Sequence, residues 1–235
     1  MIGSFLERRL PITAKMILRR AALRVAGVAY AGSGVTCPCC GDSFRRLAPF
    51  KGRPNEQCPA CGSLARHRAL FVFLSNELAL ADRTARVLHF APERALQQWL
   101  SSLPRLEYLS ADLESPLALV RMDITDIPYS DARFDLIICS HVLEHVADDQ
   151  RAIRELYRVL VGGGEAIVQV PIRGEQTFED PSSLTPASAL APSASTTTYG
   201  FRDATTLTAS PPQGSSSKSG TSPARSMRKH ALVTR

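Results

Sequence analysis

A chain of 235 residues with 44% apolar side chains can bury one core of ordinary size plus an appendage, and its apolar runs, such as 136–138, are far too short to cross a bilayer. The net charge of +6 is unevenly spread: residues 1–68 carry 12 Lys/Arg against 3 Asp/Glu, residues 82–180 carry 10 against 17, and residues 181–235 carry 6 against 1. Both ends are basic and the middle is acidic, which excludes a nucleic-acid coat along the whole chain. Five of the six cysteines fall between 37 and 61 and no signal-like leader precedes them. That pattern is not that of a small exported disulfide domain, and a reducing cytoplasm is the expected compartment.

Residues 5–31 mix apolar side chains at helical spacing with Arg8, Arg9, Lys15, Arg19, Arg20 and Arg24. The segment reads as a helix packed on its own domain with a solvated basic face; the alternative is a helix on a membrane surface or against phosphates. Ala31-Gly-Ser-Gly34 is expected to be a hinge. Then come two near-copies, Cys37-Pro-Cys-Cys40-Gly and Cys58-Pro-Ala-Cys61-Gly. Each C-x-x-C is closed by a glycine that lets the backbone turn back and aim its amides at the thiolates. Four thiolates at one point favour a closed, structural zinc held by Cys37, Cys40, Cys58 and Cys61. Cys39 is a spare that could replace Cys40; free buried cysteines are the alternative to a metal.

Residues 66–80 are expected to form a helix, with Leu70, Phe71, Phe73, Leu74 and Leu78 apolar. Strands are then expected at 85–90, 106–112, 119–124, 134–140 and 165–170, and helices at 93–103 and 148–160, with Gly162–Gly164 breaking the last helix. This alternation predicts a doubly wound, Rossmann-like α/β sheet. The apolar run 134–140 suits a central parallel strand.

In such a sheet ligands bind beyond the carboxyl ends of the strands. Those ends carry His89, Phe90, Ala91 and Glu93 after the first strand, Asp112 after the second, Asp123 and Ile124 after the third, and Ser140, His141, Glu144 and His145 after the fourth. A carboxylate ending the second strand suits a ribose diol. An acid followed by an apolar residue suits an adenine. Neither G-x-x-x-x-G-K-[ST] nor a pyrophosphate G-x-G-x-x-G is present, so an adenosine cofactor without phosphates fits best. The order of Glu144 and His145 does not match H-E-x-x-H, which excludes the metalloprotease reading.

Phe134-Asp-Leu-Ile-Ile-Cys-Ser-His-Val-Leu-Glu-His-Val146, then 152–160 and Gly162-Gly163, resemble the later motifs of class I S-adenosylmethionine-dependent methyltransferases, nearest the "type 11" group. The cysteine hooks, Gly62-Ser-Leu-Ala-Arg-His-Arg68 and Val87-Leu-His-Phe-Ala-Pro-Glu93 resemble a bacterial subgroup with an N-terminal zinc-ribbon-like module. The resemblance implies S-adenosylmethionine as cofactor, bound by His89, Phe90, Ala91, Glu93, Asp112, Asp123, Ile124, Ser140 and His141. Most of the superfamily has an acid and then G-x-G where this chain has His89, Ala91 and Glu93; small Ala91 permits close approach and Glu93 supplies a carboxylate. His141 and His145 are the candidate bases, needed only for a substrate that must lose a proton.

The expected organisation is a basic helical segment at 1–34, the zinc-ribbon-like module at 35–65, the methyltransferase domain at 66–180 and a tail at 181–235. Of the tail's 55 residues, 38 are Ser, Thr, Pro, Ala or Gly. It reads as disordered, lacking the sheet's final strands, and as the product of a reading-frame shift near 180–184, with activity impaired in consequence. The acceptor is expected to be a small molecule or a glycan. Two rivals stand beside that reading. One is an RNA methyltransferase gripping RNA through Arg45, Arg46, Lys51, Arg53, Arg66 and Arg68 with Phe44 and Phe50. The other is a non-catalytic zinc-binding protein with a vestigial α/β half.

Overall fold

The computed structural model describes residues 12–170 and the strands Ala204–Ala209 and Met227–Leu232. The expected frame shift near 180–184 and most of the tail lie outside the described residues. The chain divides into two compact units: residues up to 80 with 93–99, and 81–92 with the residues from 100 onward. Residues 66–80 and 93–99, expected with the sheet, thus group with the cysteine module.

The first unit opens with helix α1 (Ile12–Ala29), built from Ala, Leu, Met and Arg, all strong helix formers. Strand β1 (Ala31–Thr36) follows, so the segment expected as a hinge is a strand, paired antiparallel with β2 (Ser43–Phe44). A second ribbon, β3 (Ala48–Phe50) with β4 (Arg53–Gln57), leads into the second hook. Between the ribbons sits a small core of Cys37, Phe44, Leu47 and Cys58, lined by Tyr30 and Val35. Helix α2 (Ala65–Val72) is shorter than its apolar spacing predicts, because residues Phe73–Glu77 widen into one π turn closed by Leu78 N–H to Phe73 C=O at 3.1 Å. Phe71 packs on Trp99 with ring centroids 4.6 Å apart.

The second unit is a doubly wound α/β sheet. Strands β5 (Ala85–Phe90), β6 (Leu106–Asp112), β7 (Val120–Arg121), β8 (Phe134–Ser140) and β9 (Leu160–Gln169) run parallel in the order β7-β6-β5-β8-β9. Helix α3 (Arg94–Ser102) lies between β5 and β6 in sequence, and helix α4 (Asp149–Val159) between β8 and β9. The core holds Leu88, Phe90, Ile137 and Cys139 from the central strands, with Ala152, Leu156 and Val159 at helical spacing along α4. Each such large apolar side chain, nearly or fully buried, contributes about 1.5–3 kcal/mol. Asp148 caps α4, its Oδ1 accepting from Arg151 N–H at 2.8 Å. At the opposite end of the strands, Arg86 meets Asp135 through two parallel bonds of 2.8 Å, tying β5 to β8.

Three details of the sheet differ from expectation. Gly162–Gly164 does not break a helix but lies inside β9. Phe134 faces Leu160 while Leu136 faces Glu165, so the glycines bulge from the ladder. Only glycine fits at 164, where a Cβ would meet Asp135 O at 2.9 Å. The third strand is reduced to Val120–Arg121. Beyond β9, strands β10 (Ala204–Ala209) and β11 (Met227–Leu232) extend the sheet as an antiparallel pair on the edge expected to stay bare. The threonine-rich run 204–209 has β propensity that its low-complexity surroundings conceal.

Candidate cofactor site and cysteine centre

The two hooks have the same backbone wiring. Gly41 N–H donates to Cys37 C=O at 2.8 Å and Gly62 N–H to Cys58 C=O at 3.0 Å; Cys37 and Cys58 N–H reach Asp42 and Ser63 C=O at 2.9 and 2.8 Å. Gly41 and Gly62 sit at φ 78° and 76°, a turn that favours glycine. Each hook thus projects its first and fourth residues to one point. The Sγ atoms of Cys37, Cys40, Cys58 and Cys61 lie within 4.8 Å of one another. Cys37 to Cys61 is 3.8 Å and Cys40 to Cys58 is 3.7 Å. A tetrahedron with metal–sulfur bonds of about 2.3 Å has edges of about 3.8 Å, so the set fits zinc. Cys39, the spare, is outside the cluster and reaches His67 C=O at 3.9 Å.

The thiols' electrostatics are strongly interdependent. Donation from Cys39, Cys58 and Cys61 holds the Cys37 thiol far below its ordinary value. The sulfur of Cys37 pushes Cys39 and Cys61 up, and burial pushes Cys40 up to about 12. Four sulfurs this close cannot all ionise without a positive charge among them. Around them, Cys61 N–H points at Cys58 Sγ at 3.5 Å, and buried Ser63 Oγ lies 3.4 and 3.2 Å from Cys37 and Cys61 Sγ. Arg68 Nη1 staples the second hook through Ser63 C=O at 2.8 Å and Glu56 C=O at 3.0 Å. Ser63 was legible only as part of the motif after the second hook, and Arg68, offered there as a contact for RNA, is instead committed to these two carbonyls.

In the sheet unit, the predicted site residues divide. Ala91 and His141 stand at the carboxyl ends of neighbouring strands β5 and β8, both left-handed at φ 49° and 56°. Each is tied to the next strand: Ala91 N–H to Ala111 C=O at 2.9 Å, His141 N–H to Gln169 C=O at 2.8 Å. Both stand at the switch in strand order, where ligands of open α/β sheets bind. Asp112, one strand further, uses one oxygen for a local turn, its Oδ1 accepting from Glu114 and Ser115 N–H at 2.8 and 2.6 Å. It lines a cleft of about 400 Å³ together with Ser115, Val120 and Arg121. Asp123 Oδ1 accepts from Thr125 N–H and Oγ1–H, both at 2.8 Å.

Other candidates are buried. His89 is fully enclosed, with Nδ1 2.9 Å from Tyr108 Oη. Phe90 and Ile124 lie in the apolar core, so their side chains support the strand ends from below. Glu93 belongs to the first unit, where its Oε1 is 3.6 Å from His67 Nε2. His67 Nδ1 accepts from Leu64 N–H at 3.2 Å, which leaves the proton on Nε2, toward Glu93. Phe44 is also buried, in the cysteine module, and is not presented for stacking.

Two polar residues had no role from sequence. Ser140 Oγ donates to Gln169 Oε1 at 2.9 Å, and Glu144 Oε1 lies 3.1 Å from His141 Nδ1. Both Glu144 and Gln169 are 4% exposed. Gln169 closes β9, and a polar residue ending an apolar strand was the available signal. His145 is exposed in the same single 3-10 turn as Glu144.

Among solved structures, a SAM dependent methyltransferase from Archaeoglobus fulgidus is 14% identical with a TM-score of 0.36, covering 42% of this chain and 50% of that one. The ubiquinone/menaquinone biosynthesis C-methyltransferase UbiE of Xylella fastidiosa is 32% identical over 93 residues, 40% of this chain and 32% of its own length. A 2-phytyl-1,4-naphtoquinone methyltransferase of Nostoc is 27% identical over 113 residues, 48% of this chain and 44% of its own. The chain therefore spans less than half the length of these curated relatives. Residues 59–168, from the second hook to the end of β9, match the methyltransferase domain family.

Proposed function

We propose that this chain is an S-adenosylmethionine-dependent methyltransferase whose cysteine module holds a structural zinc. The observation that carries the reading is the pair of left-handed residues, Ala91 and His141, at the ends of adjacent strands with Asp112 one strand away. Bound there, the sulfonium cofactor supplies an electrophilic methyl group. Ala91, without a long side chain, admits the methionine portion close to the backbone. Asp112 receives the ribose hydroxyls, and Asp123 with the backbone at Ile124 meets the adenine edge. Ser140 and His141 floor the reacting end. Glu93 is left out of this assignment, because its carboxylate faces His67 in the other unit.

Where the acceptor must lose a proton, His141 is the base favoured by its surroundings. Glu144 Oε1 accepts the hydrogen bond of Nδ1–H, which keeps that proton on Nδ1 and leaves Nε2 as the acceptor. The names of the curated relatives support a small-molecule acceptor. Burial of Phe44 weakens the RNA reading, which needs it for stacking. Titration calorimetry with S-adenosylmethionine tests the proposal. Micromolar binding supports it, and absence of heat with folded, zinc-loaded protein leaves only the non-catalytic reading.

A further inference from the structure

Helix α1 packs by one side only. Met16, Leu23 and Gly27 are half-buried, and they face the second hook: a Cβ at Gly27 would lie 3.5 Å from Ala60 Cβ, and one at Gly62 would lie 3.1 Å from Leu23 Cδ1. At 3.6 residues per turn the opposite face gathers Ile17, Leu18, Ala21, Val25 and Val28. These are not covered. Ile17 is 69% exposed, Leu18 57%, Val25 70% and Val28 80%. The expectation of an apolar side packed on its own domain therefore accounts for only part of the helix.

The charges frame that stripe. Lys15 and Arg19 run along one edge, Arg20 and Arg24 along the other, all exposed, and the 18 residues contain no acid. At its C-terminal end, beside Ala29, is a cleft of about 350 Å³ lined by Tyr30, Arg45 and Arg46. Arg45 Nη2 donates to Ala29 C=O at 2.6 Å, and the Arg46 guanidinium sits 6.0 Å from the Tyr30 ring centroid. We propose that this face seats α1 flat on an anionic phospholipid surface, with the aliphatic stripe at the acyl boundary and the flanking cations among the phosphates.

The chemistry selects this occupant over others. Ile, Leu and Val have no π face, so the stripe offers bases nothing to stack on, whereas RNA binding surfaces combine cations with aromatic rings. A second copy would bring rows of cations against one another. No described helix is long and apolar enough to cross a membrane, so α1 lies on the surface rather than through it. Tyr30 and the two arginines beside it have the make-up of a headgroup-level anchor.

The test is co-sedimentation of the full chain with vesicles. Binding is expected to mixed phosphatidylcholine–phosphatidylglycerol vesicles at low salt, weakened by added salt, and absent on pure phosphatidylcholine. The double variant Val25→Asp, Val28→Asp should bind at least roughly tenfold more weakly, and Arg20→Gln, Arg24→Gln by about fivefold per cation removed. All four positions are exposed, and circular dichroism with metal content verifies that the variants fold. No binding to the anionic vesicles overturns the proposal. So does undiminished binding of the aspartate variant, or loss of RNA binding or of self-association in that variant while vesicle binding is unchanged.

Discussion

Ala91 and His141 form a matched pair: each ends a parallel strand, each turns left-handed, and each donates its N–H to the carbonyl of the adjoining strand. A left-handed non-glycine residue costs about 1–2 kcal/mol. Ala91→Gly should therefore raise stability by up to about 1 kcal/mol, and Ala91→Val, β-branched at a positive φ, should lower it by about 1–2 kcal/mol. Urea unfolding followed by circular dichroism measures both. If the site is as proposed, the glycine variant also keeps its affinity for S-adenosylmethionine.

Asp112 is asked to hold both its own turn and a ribose. Asp112→Asn keeps an oxygen for the amides of Glu114 and Ser115 but removes the charge. The dissociation constant for S-adenosylmethionine is expected to rise roughly tenfold with little change in stability. An unchanged constant in calorimetry would remove Asp112 from the site.

The two adjacent cysteines make a clean discrimination. Cys40→Ser should lose bound zinc and destabilise the module, whereas Cys39→Ser, outside the cluster, should retain one zinc per chain. Metal analysis after gel filtration reads the difference. Equal retention in both variants would mean that Cys39 substitutes for Cys40.

Glu155 and Arg158 on α4 brace the segment leading into β8. Arg158 pairs with Glu155 and also donates to Ile127 and Tyr129 C=O at 2.8 and 2.7 Å, while Glu155 Oε2 accepts from Ile127 N–H at 2.9 Å. The Arg158 guanidinium, helped by that amide, holds the Glu155 carboxyl at about 2, below its ordinary 4.5. Its folded value is depressed, so its contribution is complete above pH 4.5 and is lost as pH falls toward 2. Glu155→Gln should cost about 1–2 kcal/mol at neutral pH, allowing for solvent screening of a partly exposed pair. The gap from the parent should narrow steadily in urea titrations below that pH.

Strands β6 and β8 run over the same residues that their patterns predict, because continuous apolar runs between turn residues leave little freedom of register. The hooks were equally legible, since a repeated i, i+3 spacing names Cys40 over Cys39 once both backbones close the same way. The π turn at Phe73–Glu77 was not, because the apolar spacing of a straight helix continues through it. Nor was the strand character of Gly162–Gly164, which comes from pairing of the flanking residues with the neighbouring strand and not from local propensity. At the site, a motif names positions but not exposure. Asp112 and His141 are half-buried at the strand ends, whereas His89 and Ile124 are drawn into the interior by the alternation and packing of their own segments.

The path of the backbone between the two units has an engineering consequence. Residues 93–99 return to the unit that residues 1–80 begin, so no single cut separates the halves. A truncated sheet would carry Trp99 without Phe71 and Glu93 without His67. Grafting either half onto a foreign host would require transplanting the other with it, and gene fusions that respect the chain must attach at its ends.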